Sequence, residues 1–442
     1  MLTQRISNPF SGPILRHPQP GEPEFTRHSR ILPHDHKSPF GGLIPPGFPH
    51  PTNCQDAGRD ASHNSRYHSR LIRAFTEGKE MLYGIQYLRG IAALIVVLFH
   101  FRFVLDNVYV EKALGSNLFG GGAVGVDIFF MISGFIIVFA TKSKRAANPL
   151  DFAARRIFRI YPLLILTMIV GGLTVYAKTD FMTLVRATIP LNRDYSMGAP
   201  TFGFNIHGPA WTLTYELWFY AVFCAAMYVS HRWRTAICCA ALALQIVILQ
   251  LAFDGALWIT ASRSVDYAAD QPFAHLARFA SSTMFYEFIV GMVAAELFIS
   301  RHQISKEVAS IILLSGLGIF IVFFTSQQAA GFGPQGFGMW SILLFLGVVA
   351  YQKSHEIRQN KTLYFLGEIS YSMYLSHYLI VAMIPKYANP LWVATSGFSR
   401  FFMLVFVTIA FSTAIHYLLE KPAIRLGKNL TEVLAKPKPS LA

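Results

Sequence analysis

Arg89 and His100 are eleven residues apart. In an α-helix that spacing is three turns plus about 20°, so both side chains share one face, with the imidazole ~16 Å farther along the axis. A cation and a titratable ring on one stripe can divide a reaction between anion binding and proton transfer. Arg156 and Arg159 are three residues apart and project from one side of a helix. Arg159 follows Ile157 and Phe158, inside an apolar boundary, and two inward guanidiniums form a fork suited to phosphate. Arg145 and Arg155 read as ordinary topology-setting charge. Asp127, in Gly125-Val-Asp127, and Glu216, in Trp211-Thr-Leu-Thr-Tyr-Glu216, are each expected a turn or two below the outer surface, at the depth of His100. Ser370, Tyr371, Ser372 and Tyr374 lead to His377 at a similar depth, and Glu287 is expected mid-depth as a structural partner for an arginine. The plainer reading is a snorkelling arginine, a histidine satisfied by its neighbours, and Ser and Tyr residues that join helices. Against it stands a gradient, with arginines at one end and histidines with carboxylates at the other. Such a gradient suits a long anionic cosubstrate with a reactive tip, and coenzyme A thioesters have that shape.

The elements that must position these residues are apolar. Of 442 residues, 53% are hydrophobic and 14% charged, against about 25% charged in soluble domains, which excludes a soluble globular enzyme. The net charge of +14 would suggest nucleic acid in a soluble protein, but here it fits Lys and Arg retained on the cytoplasmic side of a membrane. The four cysteines, Cys54, Cys224, Cys238 and Cys239, match neither a disulfide framework nor a metal-ligand spacing, and no metal is expected.

Residues 1–80 hold 11 of the 23 prolines and 7 of the 15 histidines and read as a disordered extension. Their histidines are too irregularly spaced for a metal tract, no signal peptide is evident, and Met81 is an alternative start. Ten apolar stretches follow, with cores at 85–105, 121–141, 157–176, 210–230, 235–253, 279–299, 307–326, 337–352, 363–385 and 400–419. Each is about long enough to cross ~30 Å of hydrocarbon as a helix. The eighth is the shortest and the fourth has a polar start. The expectation is an all-α polytopic membrane protein with a transmembrane domain over 81–427 and a short cytoplasmic tail over 428–442. Basic residues gather in alternate loops, which places both termini in the cytoplasm and His207 and Trp211 near the outer face.

Six segments occur in order: Tyr87-Leu-Arg89-Gly with His100, Gly125-Val-Asp127-Ile-Phe-Phe-Met-Ile-Ser133-Gly, Arg156-x-x-Arg159-Ile-x-Pro162, Trp211-Thr-Leu-x-x-Glu216, Ser370-Tyr-Ser-Met-Tyr-Leu-Ser-His377 and Glu420-Lys-Pro422. Together they resemble the membrane acyltransferase family 3, over residues 81 to about 427. Within that family the chain is most similar to exopolysaccharide O-acetyltransferases. The resemblance implies about ten transmembrane helices, a cytoplasmic acyl-CoA donor, an essential Arg–His pair at Arg89 and His100, and paired arginines at Arg156 and Arg159. Some members carry an extracytoplasmic esterase-like domain after the last helix. This chain ends about twenty residues beyond Glu420, so that domain is not expected, and the extension 1–80 is no part of the family pattern.

The resulting expectation is a bacterial inner-membrane enzyme that moves an acetyl group from acetyl-CoA to a hydroxyl of an exported polysaccharide or lipid-linked oligosaccharide. His100 serves as general base, with Asp127 or Glu216 fixing its tautomer. Arg89, Arg156 and Arg159 hold the coenzyme's phosphates, with Ser133, Trp211, Glu287, Tyr371 and His377 in supporting positions. Three alternatives stand beside it. An acyl-enzyme route through Ser133 or Ser376 requires an imidazole within hydrogen-bond reach. A glycan transporter or flippase would also use ten helices and buried charge, although no inverted repeat is apparent. A b-type haem carrier would use His100 and His377 as axial ligands.

Overall fold

The computed structural model describes residues 81–143, 147–189, 191–268, 270–387 and 389–434. The extension 1–80, for which disorder and no metal tract are expected, lies outside these residues. Each of the ten apolar stretches forms a helix: α1 (Tyr83–Phe101), α2 (Gly125–Ala140), α3 (Pro149–Leu173), α4 (Trp211–Val229), α5 (Arg234–Asp254), α6 (Phe285–Ile299), α7 (Lys306–Ser326), α8 (Phe337–Ser354), α9 (Lys361–Tyr387) and α10 (Gly397–Ile415). No strand occurs among the described residues. The chain is therefore all-α and spans a membrane many times.

Eight of the spans are long and apolar enough to cross by composition alone. A ninth is bent: the short helix Ala274–Ala280 meets α6 at 45°. The remaining helix, α9, has 27 residues and so reaches ~40 Å, but its Ser, Tyr and His residues dilute its apolar content. It is polar because it carries part of the site.

The outer helices show what surrounds the protein. Leu244 and Ile248 on α5, Ile311, Leu314 and Ile321 on α7, and Phe402 and Phe406 on α10 all point outward and exposed. An apolar surface of that extent is stable only against lipid. Inside it, α2, α4 and α6 pack around Phe130, Phe135, Tyr215, Phe219 and Phe288.

Small residues let the inner helices approach closely, as membrane packing requires. A Cβ on Gly90 of α1 would lie 2.6 Å from the Gly367 nitrogen of α9, and one on Gly291 of α6 would lie 2.0 Å from the Met131 carbonyl oxygen of α2. Along the α1–α9 seam, Tyr83 meets Tyr364, Gly90 meets Gly367 and His100 meets His377. Both numberings rise together, so the two helices run parallel.

Two local devices shape the rest. Asn148 caps α3 by accepting from the Leu150 N–H, with Pro149 at the first helical position. After α10 the helix widens into a single π turn, His416–Glu420, and continues as α11 (Lys421–Leu434). The expected domain end at 427 thus falls inside a helix, whose Gly427 packs against Phe158 of α3.

Candidate active site

A cavity of about 560 Å³ lies among α1, α2, α3, α4, α9 and α11. Five cations line it, Arg89, Arg155, Arg156, Arg159 and Lys428, with one carboxylate, Glu216. The three expected arginines therefore converge, although they come from two different helices. Arg155 and Lys428 join them, so neither is only a topology charge or part of a free tail. Aromatic rings hold the guanidiniums: Arg156 lies 5.5 Å from the Phe152 ring centre and 5.6 Å from that of Tyr220, and Arg159 lies 5.9 Å from that of Tyr371. Tyr371 is pinned by donating to the Ile160 carbonyl at 2.9 Å. Among the described residues none of Arg89, Arg156 and Arg159 is in an ion pair within 4.0 Å, and the buried Arg156 Nε has no hydrogen-bond partner. Cations in that condition can accept an anion without first giving one up.

Two carboxylates set the background field. Glu216 accepts from Ser133 Oγ at 3.2 Å and from the Tyr220 hydroxyl, within electrostatic reach of Arg89 and Arg156. Glu420, turned inward by the π turn, accepts from Ser372 Oγ at 2.6 Å and pairs with His416 Nδ1 at 3.0 Å. It acts electrostatically on Arg159 and Arg89.

At its far end the cavity is bounded by Phe129, Thr212 and Tyr374. The Tyr374 hydroxyl shares a 3.0 Å hydrogen bond with Thr212 Oγ1, and the Tyr374 ring lies 6.1 Å from that of His377. Behind it stand three imidazoles. His100 and His377 are 4.7 Å apart between ring centres. His207, presented by the loop before α4, hydrogen-bonds the Leu375 carbonyl through Nε2 at 2.8 Å and the Tyr176 hydroxyl through Nδ1 at 3.1 Å. His100 Nδ1 lies 2.9 Å from the Val96 carbonyl oxygen. With the proton on Nδ1 for that bond, Nε2 carries the lone pair a general base needs.

The structure separates several residues that share a depth in the sequence reading. Val96, not Asp127 or Glu216, engages His100 Nδ1. Asp127 is fully buried and accepts from the Gly333 N–H at 2.7 Å, which ties down the loop 331–336 before α8. Glu287 stands beside Asp127 rather than an arginine, against the backbone of Gly338. Glu216 belongs to the arginine end because buried opposite charges offset one another's desolvation. Trp211 packs on Phe332 and Tyr215, 5.1 and 5.8 Å between ring centres. Ser133 bonds a carboxylate, and Ser376 shares a 2.9 Å bond with Ser412 of α10. Among the described residues neither serine hydrogen-bonds an imidazole, so the condition for an acyl-enzyme at either is not met there. Direct contact between the His100 and His377 rings leaves no room for a macrocycle between them, which removes the haem reading.

Tyr220, Tyr374, His207 and Glu420, like Arg155 and Lys428, gained no site role from the sequence reading. Glu420 carried a signal, being an acid in an otherwise apolar helix within the last matching segment. His207, placed in a loop, had none.

Comparison with known proteins bears on the family of the chain and on its class of activity. The family model described as "Acyltransferase domain" matches residues 82–417. The exopolysaccharide production protein ExoZ of Rhizobium meliloti (strain 1021) is 28% identical over 313 residues, covering 70% of this chain and 91% of that protein. Acyltransferase MdmB of Streptomyces mycarofaciens is 22% identical over 388 residues, covering 80% and 94%. No solved structure matches. With the family model spanning most of the transmembrane helices that build the cavity, the chain belongs to the acyltransferase 3 family and is a multi-pass membrane acyltransferase.

Proposed function

We propose that this protein transfers an acetyl group from cytoplasmic acetyl-CoA to a hydroxyl of an exported bacterial polysaccharide, in the inner membrane, with exopolysaccharide as the acceptor class. The observation that carries the reading is one cavity that gathers five cations and ends at Tyr374, directly in front of the His100–His377 pair. Phosphates of the donor bind at Arg89, Arg156 and Arg159. Its pantetheine arm lies along the apolar wall of Val126, Phe129 and Phe130. The thioester passes Tyr374 to reach His100.

His100 Nε2 takes the proton of the acceptor hydroxyl as its oxygen attacks the thioester carbonyl. The tetrahedral intermediate collapses with cleavage of the C–S bond, and the proton passes to the thiolate. The products are an acetyl ester and coenzyme A. ExoZ, named for exopolysaccharide production, supports the acceptor class, and the Arg-rich mouth supports a cytoplasmic donor.

The test is NMR of the cell-surface polysaccharide with and without the gene, together with acetyl-CoA turnover by purified protein in nanodiscs. Loss of an O-acetyl signal and acceptor-dependent release of coenzyme A are expected. Movement of a glycan without acetyl-CoA consumption would replace this reading with a transporter.

A further inference from the structure

The five cations that line the donor cavity fall into two sets. Arg89, Arg156 and Arg159 act electrostatically on one another and on Glu216, the carboxylate that shares the cavity with them. Three guanidiniums less one carboxylate leave two positive charges, which match a doubly esterified diphosphate with one charge on each phosphate. Glu420 does not line the cavity and is held by Ser372 and His416. Arg155 and Lys428 remain, and they supply two further positive charges with no carboxylate of their own in the cavity wall among the described residues.

Their helices bring these two together at the cavity's opening. Arg155 is four residues before Arg159, so it shares that face of α3 and stands ~6 Å nearer the start of the helix. Lys428 is four residues beyond Ile424, and both line the cavity, so this face of α11 is turned toward it. Close approach of the two helices depends on Gly427, because a Cβ there would lie 2.6 Å from the Phe158 Cβ. Phe158 is itself about one turn beyond Arg155. Met81 and Leu82, where α1 begins, line the same cavity, which puts its mouth at the end where α1 and α3 start. The Lys428 ammonium is not committed elsewhere. Its neighbour Glu432 is 3.7 Å away, and the two side chains are 68% and 62% exposed, so the pair is weak and yields to a better anion.

We propose that Arg155 and Lys428 bind the 3′-phosphate on the ribose of coenzyme A, and that they make this protein select coenzyme A over its 3′-dephospho form. This rests on the reading of the cavity as a site for a coenzyme A thioester. A phosphomonoester carries about −1.5 to −2 charge at pH 7, and two cations neutralise it. The Arg155 guanidinium can take two of its oxygens as a fork, while Lys428 meets the group as a point charge. The diphosphate then falls to the three arginines farther in, and the pantetheine arm continues along the apolar wall. The order of cations from the mouth inward is thus the order of phosphates along the ligand.

The experiment compares binding of coenzyme A and of 3′-dephospho-coenzyme A to the full chain in phosphatidylcholine nanodiscs, by calorimetric titration at one salt concentration. Wild type should hold coenzyme A at least about ten-fold more tightly. Arg155→Gln and Lys428→Gln should each lower that preference by about three-fold, and the double variant should bring it within about two-fold of unity. Lys428→Arg should keep it. Lys421 is on the same helix, with its ammonium 4.8 Å from the Tyr417 ring centre and outside the cavity wall. Lys421→Gln therefore controls for loss of a nearby charge and should keep the wild-type preference. Dephospho-coenzyme A needs only the inner arginines, so its own affinity reports whether each variant retains them. Equal wild-type affinity for the two ligands, or a double variant that weakens both alike, overturns the 3′-phosphate site and leaves the diphosphate site standing. Failure of wild type to bind either ligand overturns the coenzyme A reading itself.

Discussion

Gly90 and Gly367 meet backbone to backbone, and their contact sets the height at which His100 faces His377. A side chain at 367 would run into the Gln86 carbonyl oxygen at 2.4 Å, forcing α1 and α9 apart. Gly367→Val is expected to cost about 1–3 kcal/mol through overpacking and to lower turnover more than its loss of folded protein explains. Gly318→Ala is the control, since nothing lies within 4 Å of its would-be Cβ. Thermal denaturation in detergent alongside acetyl transfer distinguishes the two.

Arg156 offers the donor an unpartnered Nε. Its replacement by Ala removes charge-assisted bonds of about 1.5–3 kcal/mol, so the KM for acetyl-CoA should rise by roughly ten-fold or more with kcat little changed. Steady-state kinetics decide it, and an unchanged KM would remove Arg156 from the phosphate site.

Glu216 now reads as a counter-charge for the arginines rather than an orienting group for His100. Glu216→Gln keeps an acceptor for Ser133 and Tyr220 but deletes the only carboxylate that lines the cavity among the described residues. The free protein should lose stability, while coenzyme A should raise the melting temperature by more than it does in wild type, because ligand anions replace the lost charge. A kcat collapse with an unchanged ligand shift would restore the orienting role.

Asp127 carries a structural load through the Gly333 N–H. Asp127→Ala leaves that buried donor unpaired, at about 1–3 kcal/mol, whereas Asp127→Asn can still accept from it. The expected order of melting temperature is wild type and Asn above Ala. The KM for acetyl-CoA should be the same in all folded protein, and a changed KM in the Asn variant would link Asp127 to the donor site.

The Ser376–Ser412 bond joins α9 to α10 without an imidazole. Ser376→Ala is therefore expected to keep acetyl transfer within about three-fold, since a single neutral hydrogen bond contributes only ~1 kcal/mol. Mass spectrometry after incubation with acetyl-CoA should find no acetyl group on residue 376, and an acetyl ester there would revive the acyl-enzyme route.

Much of this was legible before any fold was seen. Ten apolar stretches became ten helices because length and composition are local properties that lipid reads directly. Arg89 with His100, and Arg156 with Arg159, shared a face because helical periodicity acts within one element. What periodicity cannot specify is which neighbour a face meets. Asp127 and Glu216 were equivalent acids at one estimated depth, yet α2 turns the first toward α6 and the loop at Gly333, and α4 brings the second among arginines. His207 lies in a loop with no repeat to read, and Glu420 reaches Ser372 through a π turn that changes the helical phase. Composition and helical repeat specify the spans, the stripes and the chemical types available. The pairings come from the packing of helix on helix, because a buried charge or lone pair takes its partner from another helix, and that choice depends on the close contacts of Gly90 with Gly367 and of Gly291 with Met131.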